Sequence, residues 1–456
     1  MRHGARHPGR ALLGLVALGT FVTGATTTTP VKREGPVVSP AIAPETATTI
    51  RFAVNGLPVI LRRNPANEVV VANLYLLGGA RQLTSKTAGI ETLLLATSER
   101  GTHRFPGAMV RQRTAKLGST IGIDASDDWS TISLRAIRTT FDSTWAILAD
   151  RVMAPTLDAN EVAIVRDQLL TVASERRTQP DDAATELADS LLYQNHPNAI
   201  PPTGTTESIT GLTAMQLKQY HAKHFVTSRM LLVVVGNVDR AQVEGLVRRS
   251  IATMPRGTYR WTSPPPIPTG GRALAVDNRM LPTNYLLGYV PGPAAADPDY
   301  SALRVATAVL SGRLFTEVRS RRNLSYAVEA PFFERAQAVG GLYVTTVDPN
   351  AVLRIMRQEL TTLQTETVDP VGLKRLEQQF ITEYYLKNET NADQANVLAR
   401  AELYQGDYRA ADRFMEGLRR VTPDDVRRVA RLYLKDFRFA YVGDAAKLDR
   451  ALLQSF

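Results

Sequence analysis

Residues Gly89 to Thr102 read GIETLLLATSERGT. A glycine opens the stretch, Gly-Thr closes it, and its middle, Leu93-Leu94-Leu95-Ala96, is apolar. The pattern predicts a helix over Ala88 to Glu99 with a core-facing centre. Such a helix buries its middle rather than presenting it to a ligand, and apolar side chains there carry no desolvation cost.

Outward from this helix, Thr48 to Val54, Leu57 to Arg62 and Val69 to Leu77 read as strands, with Asn55-Gly56 as a hairpin turn. A second helical pattern covers Gly107 to Leu117. Alternating strands follow at Thr120 to Asp124 and Trp129 to Ala136, joined by Ser126-Asp127-Asp128. Helical stretches then run over Thr140 to Met153, Ala159 to Arg177 and Asp181 to Tyr193. Later in the chain, strands are expected near Ala273, Tyr285, Leu324 and Leu342, and helices from Pro298, Val352, Pro370, Ala392 and Pro423. Strand groups alternating with helix groups give an α+β class, with sheets covered by helices.

The pattern occurs twice. Leu212 to Val238 and Val421 to Asp444 each show a Thr helix cap, an amphipathic helix, an apolar strand and a Gly turn. Between them lies Met254 to Gly271, MPRGTYRWTSPPPIPTGG, whose prolines exclude a helix and favour an extended connection. The reading is a duplicated domain: 46–255, a Pro-rich linker at 256–271, and 272–456.

Residues 1–25 resemble a secretory signal peptide: Arg2, Arg6 and Arg10 precede an apolar run from Ala11 to Val22, and Thr23-Gly24-Ala25 offers small residues for cleavage. That run is shorter than the roughly 20 residues needed to span a bilayer. Residues 26–45, rich in Thr, Pro and Val, read as a flexible tether. The expected location is periplasmic or secreted, after signal-peptide cleavage in a bacterium, and the chain is not expected to span a membrane. The chain has no cysteine, which excludes disulfides, thiolate metal sites and a cysteine nucleophile. Its net charge of +10 shows no clustered basic and aromatic pattern, so nucleic acid is not an expected partner. Gly-rich phosphate loops and Gly-x-Ser-x-Gly elbows are absent from the sequence. Asp124, Asp127 and Asp128 surround a turn, where Asp serves the backbone.

Spread along the chain are the residues of a broader resemblance. Asn55-Gly56-Leu57-Pro58-Val59, His196-Pro197, Gly204-Thr205, Ile209, Leu212, Tyr220, Phe225 and Gly236 fall in order, followed by Gly288-Tyr289, Asp297 to Leu303 and Leu310 to Phe315. Together with Gly89 to Thr102 they resemble the pitrilysin/insulinase family of zinc metallopeptidases. The resemblance implies duplicated pitrilysin-like domains, each a sheet covered by helices, with the two halves forming a clamshell.

In that family Gly89 to Thr102 would carry His-x-x-Glu-His. Here Thr92 and Ala96 stand at the two histidine positions and Leu95 at the glutamate. The third ligand, a glutamate on a later helix, falls on Val172, with Glu175 one turn on; another helical glutamate falls near Val165. A zinc site needs imidazole or carboxylate donors and an open water position, and these residues supply no such set. No metal is therefore expected on this chain. Among its six histidines, His221 and His224 share a helix face, His103 stands alone and His196 reads as a capping residue; His3 and His7 lie in the leader.

A second family feature is kept. Arg319 and Tyr326 have the seven-residue spacing of an arginine and a tyrosine that, in active relatives, reach the catalytic site from the opposite half or a second subunit. The expected placement is a last helical turn, with Arg321 and Arg322, and the following strand. Tyrosine offers a neutral O–H and arginine a planar fork to the oxyanion and carbonyls of a peptide under attack. The resemblance implies a non-catalytic subunit of a heterodimeric zinc peptidase, in which a zinc-motif-bearing homologous partner holds the zinc and the pair handles unfolded peptide. The alternative is a peptide-binding or structural scaffold protein without hydrolysis.

Overall fold

The computed structural model describes residues 48–456; the signal peptide and tether expected at 1–25 and 26–45 lie outside them. The first hairpin forms as the Asn-Gly pair predicts: β1 (Thr49–Val54) and β2 (Leu57–Arg63) meet at Val54 opposite Leu57, and Asn55 and Gly56 take φ of 48° and 82°. Both angles belong to the left-handed region that a tight two-residue turn demands.

The first half continues through β3 (Val69–Leu77), α1 (Ile90–Thr97), α2 (Met109–Lys116), β4 (Thr120–Ala125) and β5 (Trp129–Ile137). It then runs through α3 (Phe141–Met153), α4 (Ala159–Thr178), α5 (Pro180–Leu192), α6 (Thr206–Thr210), α7 (Ala214–His224), β6 (Met230–Gly236) and α8 (Arg240–Arg248). The second half opens with β7 (Ala273–Asn278), β8 (Asn284–Ala294), α9 (Asp299–Leu314), β9 (Val328–Glu329), β10 (Phe332–Phe333) and β11 (Gln337–Thr346). Helices α10 (Pro349–Thr365), α11 (Pro370–Lys387), α12 (Asn391–Gln405), α13 (Ala410–Arg419) and α14 (Pro423–Tyr433), then β12 (Arg438–Gly443) and α15 (Arg450–Leu453), complete it.

The duplication is visible in the sheets. In the first half β2 runs parallel to β6, β6 antiparallel to β3, and β3 antiparallel to β5. In the second, β7 runs parallel to β12, β12 antiparallel to β8, and β8 antiparallel to β11. Strands of equivalent rank and direction thus recur in one order. The repeated caps recur too: Thr213 and Thr422 each receive the backbone N–H three residues on, while Gln216 and Asp425 accept from the cap's own N–H. Each box satisfies two helix-end donors that would otherwise be orphaned.

Two helices cross between the halves. From the first half, α5 lays Ala183, Ala184, Ala188 and Leu192 on Leu287, Tyr289, Ala440 and Val442 of the second sheet. In return α12 lays Ala392, Ala395, Leu398 and Ala399 on Ile60, Val71, Tyr75 and Val233 of the first. Alanine on the contacting face lets a helix approach a sheet closely, and Tyr75 donates its hydroxyl to Asn396 Oδ1 at 2.8 Å. The first sheet is drawn from strands between Thr49 and Gly236 and the second from strands between Ala273 and Gly443, while the apolar layers that cover them are exchanged. The Pro-rich linker is fastened along this seam: Trp261 Nε1 donates to the Leu403 carbonyl at 2.8 Å, and Ile267 is buried.

Candidate functional site

Helix α1 begins where two glycines touch. Gly89 and Gly204 both have positive φ, 84° and 83°, and a Cβ on Gly89 would come 3.0 Å from the Gly204 Cα. Nothing larger fits both the angle and the approach. This contact sets α1 against the loop holding Thr203 and against α4.

Within α1, Leu93, Leu94 and Leu95 are buried in the first-half core, Leu95 sharing its cluster with Val162 and Val165 of α4. Ala96 packs against the same cluster. Thr92 Oγ1 donates to the Pro202 carbonyl at 2.9 Å, which occupies its hydroxyl locally. Val172 is half-buried on α4 and Glu175 exposed. The donor chemistry does not fit a zinc ion: a threonine hydroxyl already donating, a leucine, an alanine and a valine offer no imidazole and no carboxylate. Among the described residues no group of three or more His, Asp or Glu is arranged to hold a metal.

What pins α1 instead is a buried ion pair. Arg229, at the entry to β6, donates Nη1 to Glu91 Oε2 at 2.6 Å and Nε to the Leu77 carbonyl at 2.6 Å, both charged side chains being nearly inaccessible. The Tyr220 hydroxyl donates to the same carboxylate oxygen at 3.0 Å. Burial, and then the Glu91 charge, push the Tyr220 hydroxyl well above the usual tyrosine range. Burial alone would lower Arg229, but Glu91 and Tyr220 hold it above the ordinary arginine value. At the other end of α1, Arg151 donates Nη2 to the Leu95 carbonyl at 3.2 Å and Nε to Ser98 Oγ at 3.0 Å. A cation at a helix C-terminus opposes the helix dipole; burial lowers Arg151 to about 10. Neither pairing was read from the sequence, because Glu91 and Arg229 lie 138 residues apart.

Three of the described histidines, His196, His221 and His224, have separate contacts. His196 accepts the Asn198 N–H on Nδ1 at 3.1 Å, the capping role expected of it, and its Nε2 meets the Pro265 carbonyl at 2.9 Å. His221 Nε2 lies 2.7 Å from the Val152 carbonyl. His224 stacks on Tyr220 with ring centroids 4.3 Å apart.

The second-half pair comes together. After α9 the chain widens into a π-helical turn, Phe315–Ser320, which carries Arg319. The Arg319 guanidinium carbon sits 4.2 Å from the Tyr326 ring centroid and 5.0 Å from that of Phe315. One local expectation is corrected: Tyr326 does not stand on a strand, and no strand forms at Leu324. The Leu324 N–H bonds back to the Val318 carbonyl at 2.9 Å, and its carbonyl is taken by Thr346 Oγ1. Ser325 Oγ reaches both the Ala327 and the Thr345 carbonyls. These side-chain bonds compete with a ladder, so pairing with β11 is delayed to Val328–Glu329. Tyr326 is left on a bend, 73% exposed. Arg321 and Arg322, beyond the helical turn, both bond the Glu317 carboxylate at 2.5 Å. No described residue forms an ion pair with Arg319. The clamp by Phe315 was the part that sequence reading missed; its signal is a four-residue spacing on one helical face.

Comparisons with known proteins bear on the family and the fold. Residues 58–206 match the model of the insulinase family, peptidase family M16, and residues 211–380 match that of the peptidase M16 inactive domain. A zinc protease of Mycobacterium leprae is 24% identical over 405 residues, covering 86% of this chain and 90% of its own length. Subunit 1 of the mitochondrial cytochrome b-c1 complex of Mus musculus is 23% identical over 270 residues, covering 59% of this chain and 55% of its own. The crystal structure of a peptidase M16 inactive domain from Pseudomonas fluorescens superposes with a TM-score of 0.79 at 20% identity, covering 87% of this chain and 98% of that one, a likeness of fold.

Proposed function

The chain belongs to the insulinase (peptidase M16) family while lacking that family's zinc ligands, and on that premise we propose that it is a non-catalytic subunit that lends Arg319 and Tyr326 to a zinc-bearing homologous partner. One observation carries the reading: the arginine and tyrosine that would face a substrate are held in contact at 4.2 Å, while Thr92, Leu95, Ala96 and Val172, at the positions that would hold metal, offer no zinc donor set, with Leu95 buried in the core. Peptide hydrolysis then belongs to the pair. This chain's share is to hold an unfolded peptide by its carbonyls, with the tyrosine hydroxyl and the guanidinium as donors. The reciprocal docking of α5 and α12 ties the two halves of one chain together, which favours a substrate chamber closed by a second subunit. The proposed setting is periplasmic or extracellular, after removal of residues 1–25.

The test is recovery of a tagged copy from native extract and identification of what accompanies it. A near-stoichiometric homologue bearing His-x-x-Glu-His, with peptidase activity in the pair and in neither chain alone, supports the reading. Recovery of this chain alone, or of a pair without turnover, overturns it. A structural-subunit role is the second reading, favoured by the likeness to subunit 1 of the mitochondrial cytochrome b-c1 complex; it is supported by stable recovery in a larger assembly that has no peptidase activity.

A further inference from the structure

The two sheets share an order of strands but differ at one edge. In the first half β1 lies antiparallel along the outer side of β2. Strand β7 holds the place of β2 in the second half, parallel to β12 as β2 is to β6, and among the described residues no strand lies beyond it. Burial differs accordingly. Leu57, Val59, Ile60 and Leu61 of β2 are buried, and β1, itself an edge strand, still buries Phe52 and Val54. No residue of β7 is buried.

Bond directions decide what β7 turns outward. The Arg279 N–H donates to the Gly443 carbonyl at 2.9 Å, continuing the parallel ladder, so Ala273, Ala275 and Asp277 direct their backbone groups at β12. Leu274, Val276 and Asn278 turn their N–H and C=O groups away from the sheet, and no described residue bonds to them. The register runs from Ala273 to Asn278 without a bulge, and Ala273 to Val276 includes no charge and no proline. Charges, prolines and bulges are the means by which an edge ordinarily repels a second strand. On β1 the two-residue turn makes Val54 and Leu57 a bonded pair, so Thr49, Arg51 and Ala53 face outward, with Arg51 exposed. The side chains of Leu274 and Val276 are half-buried against the second-half core, as is Leu452 of α15. Arg272 donates Nη1 to the Gln454 carbonyl at 2.7 Å, which brings the end of α15 beside the start of β7. In the first half Val243 and Val247 of α8 share the corresponding core with Phe52 and Val54.

We propose that the outer edge of β7 docks an extended segment of another polypeptide whose alternate side chains are apolar, added antiparallel as β1 is added to β2. Residues of the segment that bond Leu274 and Val276 place their side chains on the same face as those two, toward the core, so these are the apolar ones. The same division exists in β1, where Ile50, Phe52 and Val54 face the core and Thr49, Arg51 and Ala53 do not. The commitment to another polypeptide rather than a second copy comes from size: the six residues of β7 offer about 20 Å of edge, too little for the roughly 1,200 Å² that a stable dimer buries. Strand addition, in contrast, holds a short segment through main-chain bonds. Strands β7 and β10 are opposite ends of the sheet, so this docking uses neither Arg319 nor Tyr326 and requires neither a zinc-bearing partner nor hydrolysis.

The experiment uses the full chain and fluorescein-labelled octapeptides, blocked at both ends, in which Val or Ile alternates with Thr or Ser. One version is N-methylated at the apolar residues, one at the polar residues, and one keeps the composition with its apolar residues in a block. Binding is read by fluorescence anisotropy, and protection of the β7 amides by hydrogen exchange with mass spectrometry. The alternating peptide is expected to bind and to slow exchange across Leu274 to Asn278. Methylation at the apolar residues, whose N–H groups face β7, should weaken binding about tenfold or more, and methylation at the polar residues by no more than about twofold. Val276→Pro removes an outward N–H without touching the ladder to β12, so it should fold, as circular dichroism reports, and bind about tenfold more weakly or worse. Equal losses from the two methylated peptides overturn the proposal, as do equal binding of the block peptide and undiminished binding by folded Val276→Pro. Binding lost in Arg319→Gln also overturns it, by putting the peptide at the other end of the sheet. A parent dimer in sedimentation that Val276→Pro dissociates gives the edge to a second copy and overturns the commitment to another polypeptide. If Val276→Pro does not fold, the two methylated peptides decide alone.

Discussion

Arg229 in the first half and Arg319 in the second are treated in opposite ways. Arg229 is buried, and its charge is answered by Glu91, Tyr220 and the Leu77 carbonyl. Arg319 is half-buried beside two rings, and no described residue forms an ion pair with it. A charge withdrawn from water must be neutralised within the fold, because its uncompensated burial costs several kcal/mol. A charge at the surface can remain unpaired at little cost and be available to a ligand. On the proposed reading, the first half would have turned a site into structure, while the second would keep donors for a ligand.

The sharpest way to break this contrast is Arg229→Met, which strands the Glu91 carboxylate. Removing one member of a buried pair costs about 3–5 kcal/mol, read as a fall in the urea unfolding midpoint. The double variant Glu91→Leu/Arg229→Met is expected to recover most of that loss, since a well-packed apolar pair is often as stable as a buried ion pair. No recovery would mean that packing around Tyr220, not charge, is what holds α1. Leu95→Ala comes next. It empties space beside Val162 and Val165 and should cost about 2–5 kcal/mol, whereas an ordinary exposed position would show almost nothing.

The seam supplies an intermediate case and a pH signature. Arg335 of the second half reaches Asp127 at 3.5 Å and Asp189 at 3.6 Å, both in the first half, and contacts the Tyr193 hydroxyl. Burial, opposed by Arg335 and reinforced by Asp127, pushes Asp189 up to about 6 from 3.8. With the folded value above the unfolded one, the folded chain binds the extra proton between the two. This group's contribution is thus fully present below about 3.8 and lost as pH rises through about 6. Asp189→Asn should remove that component, so the variant's unfolding midpoint gains on the parent's between about pH 4 and pH 7. Parallel profiles would show that Arg335 keeps Asp189 ionised throughout.

These outcomes bear on what a sequence can disclose. The Asn55-Gly56 hairpin, the Thr213 and Thr422 caps and the apolar centre of α1 were legible because each is decided by residues within a few positions of one another. The seven-residue spacing of Arg319 and Tyr326 was singled out only through the family resemblance, since an arginine at a helix end and a tyrosine shortly after it are ordinary by themselves. The helix exchange was not: an alanine-rich face on α5 says that something approaches closely, not that the surface is the other half's sheet. The Glu91–Arg229 pair is equally silent, since a carboxylate on an apolar helix acquires its partner only when β6 returns beside α1. At Leu324 local apolarity suggested a strand, and the hydroxyls of Ser325 and Thr346 decided against it.

The smallest expected effect is the most discriminating. Arg319→Gln and Tyr326→Phe should each leave stability within about 0.5 kcal/mol, as for surface positions with no buried partner. Tyr326→Phe keeps the ring under the guanidinium and removes only the hydroxyl, so even the stacking energy is retained. If these variants melt with the parent yet alter peptide binding or the turnover of the assembled pair, the residues are held for a ligand. If Arg319→Gln instead lowers the unfolding midpoint as much as Leu95→Ala does, the aromatic clamp is part of the fold's own support. The contrast between the two halves would then reduce to a difference in exposure, with Arg319 no more available for function than Arg229.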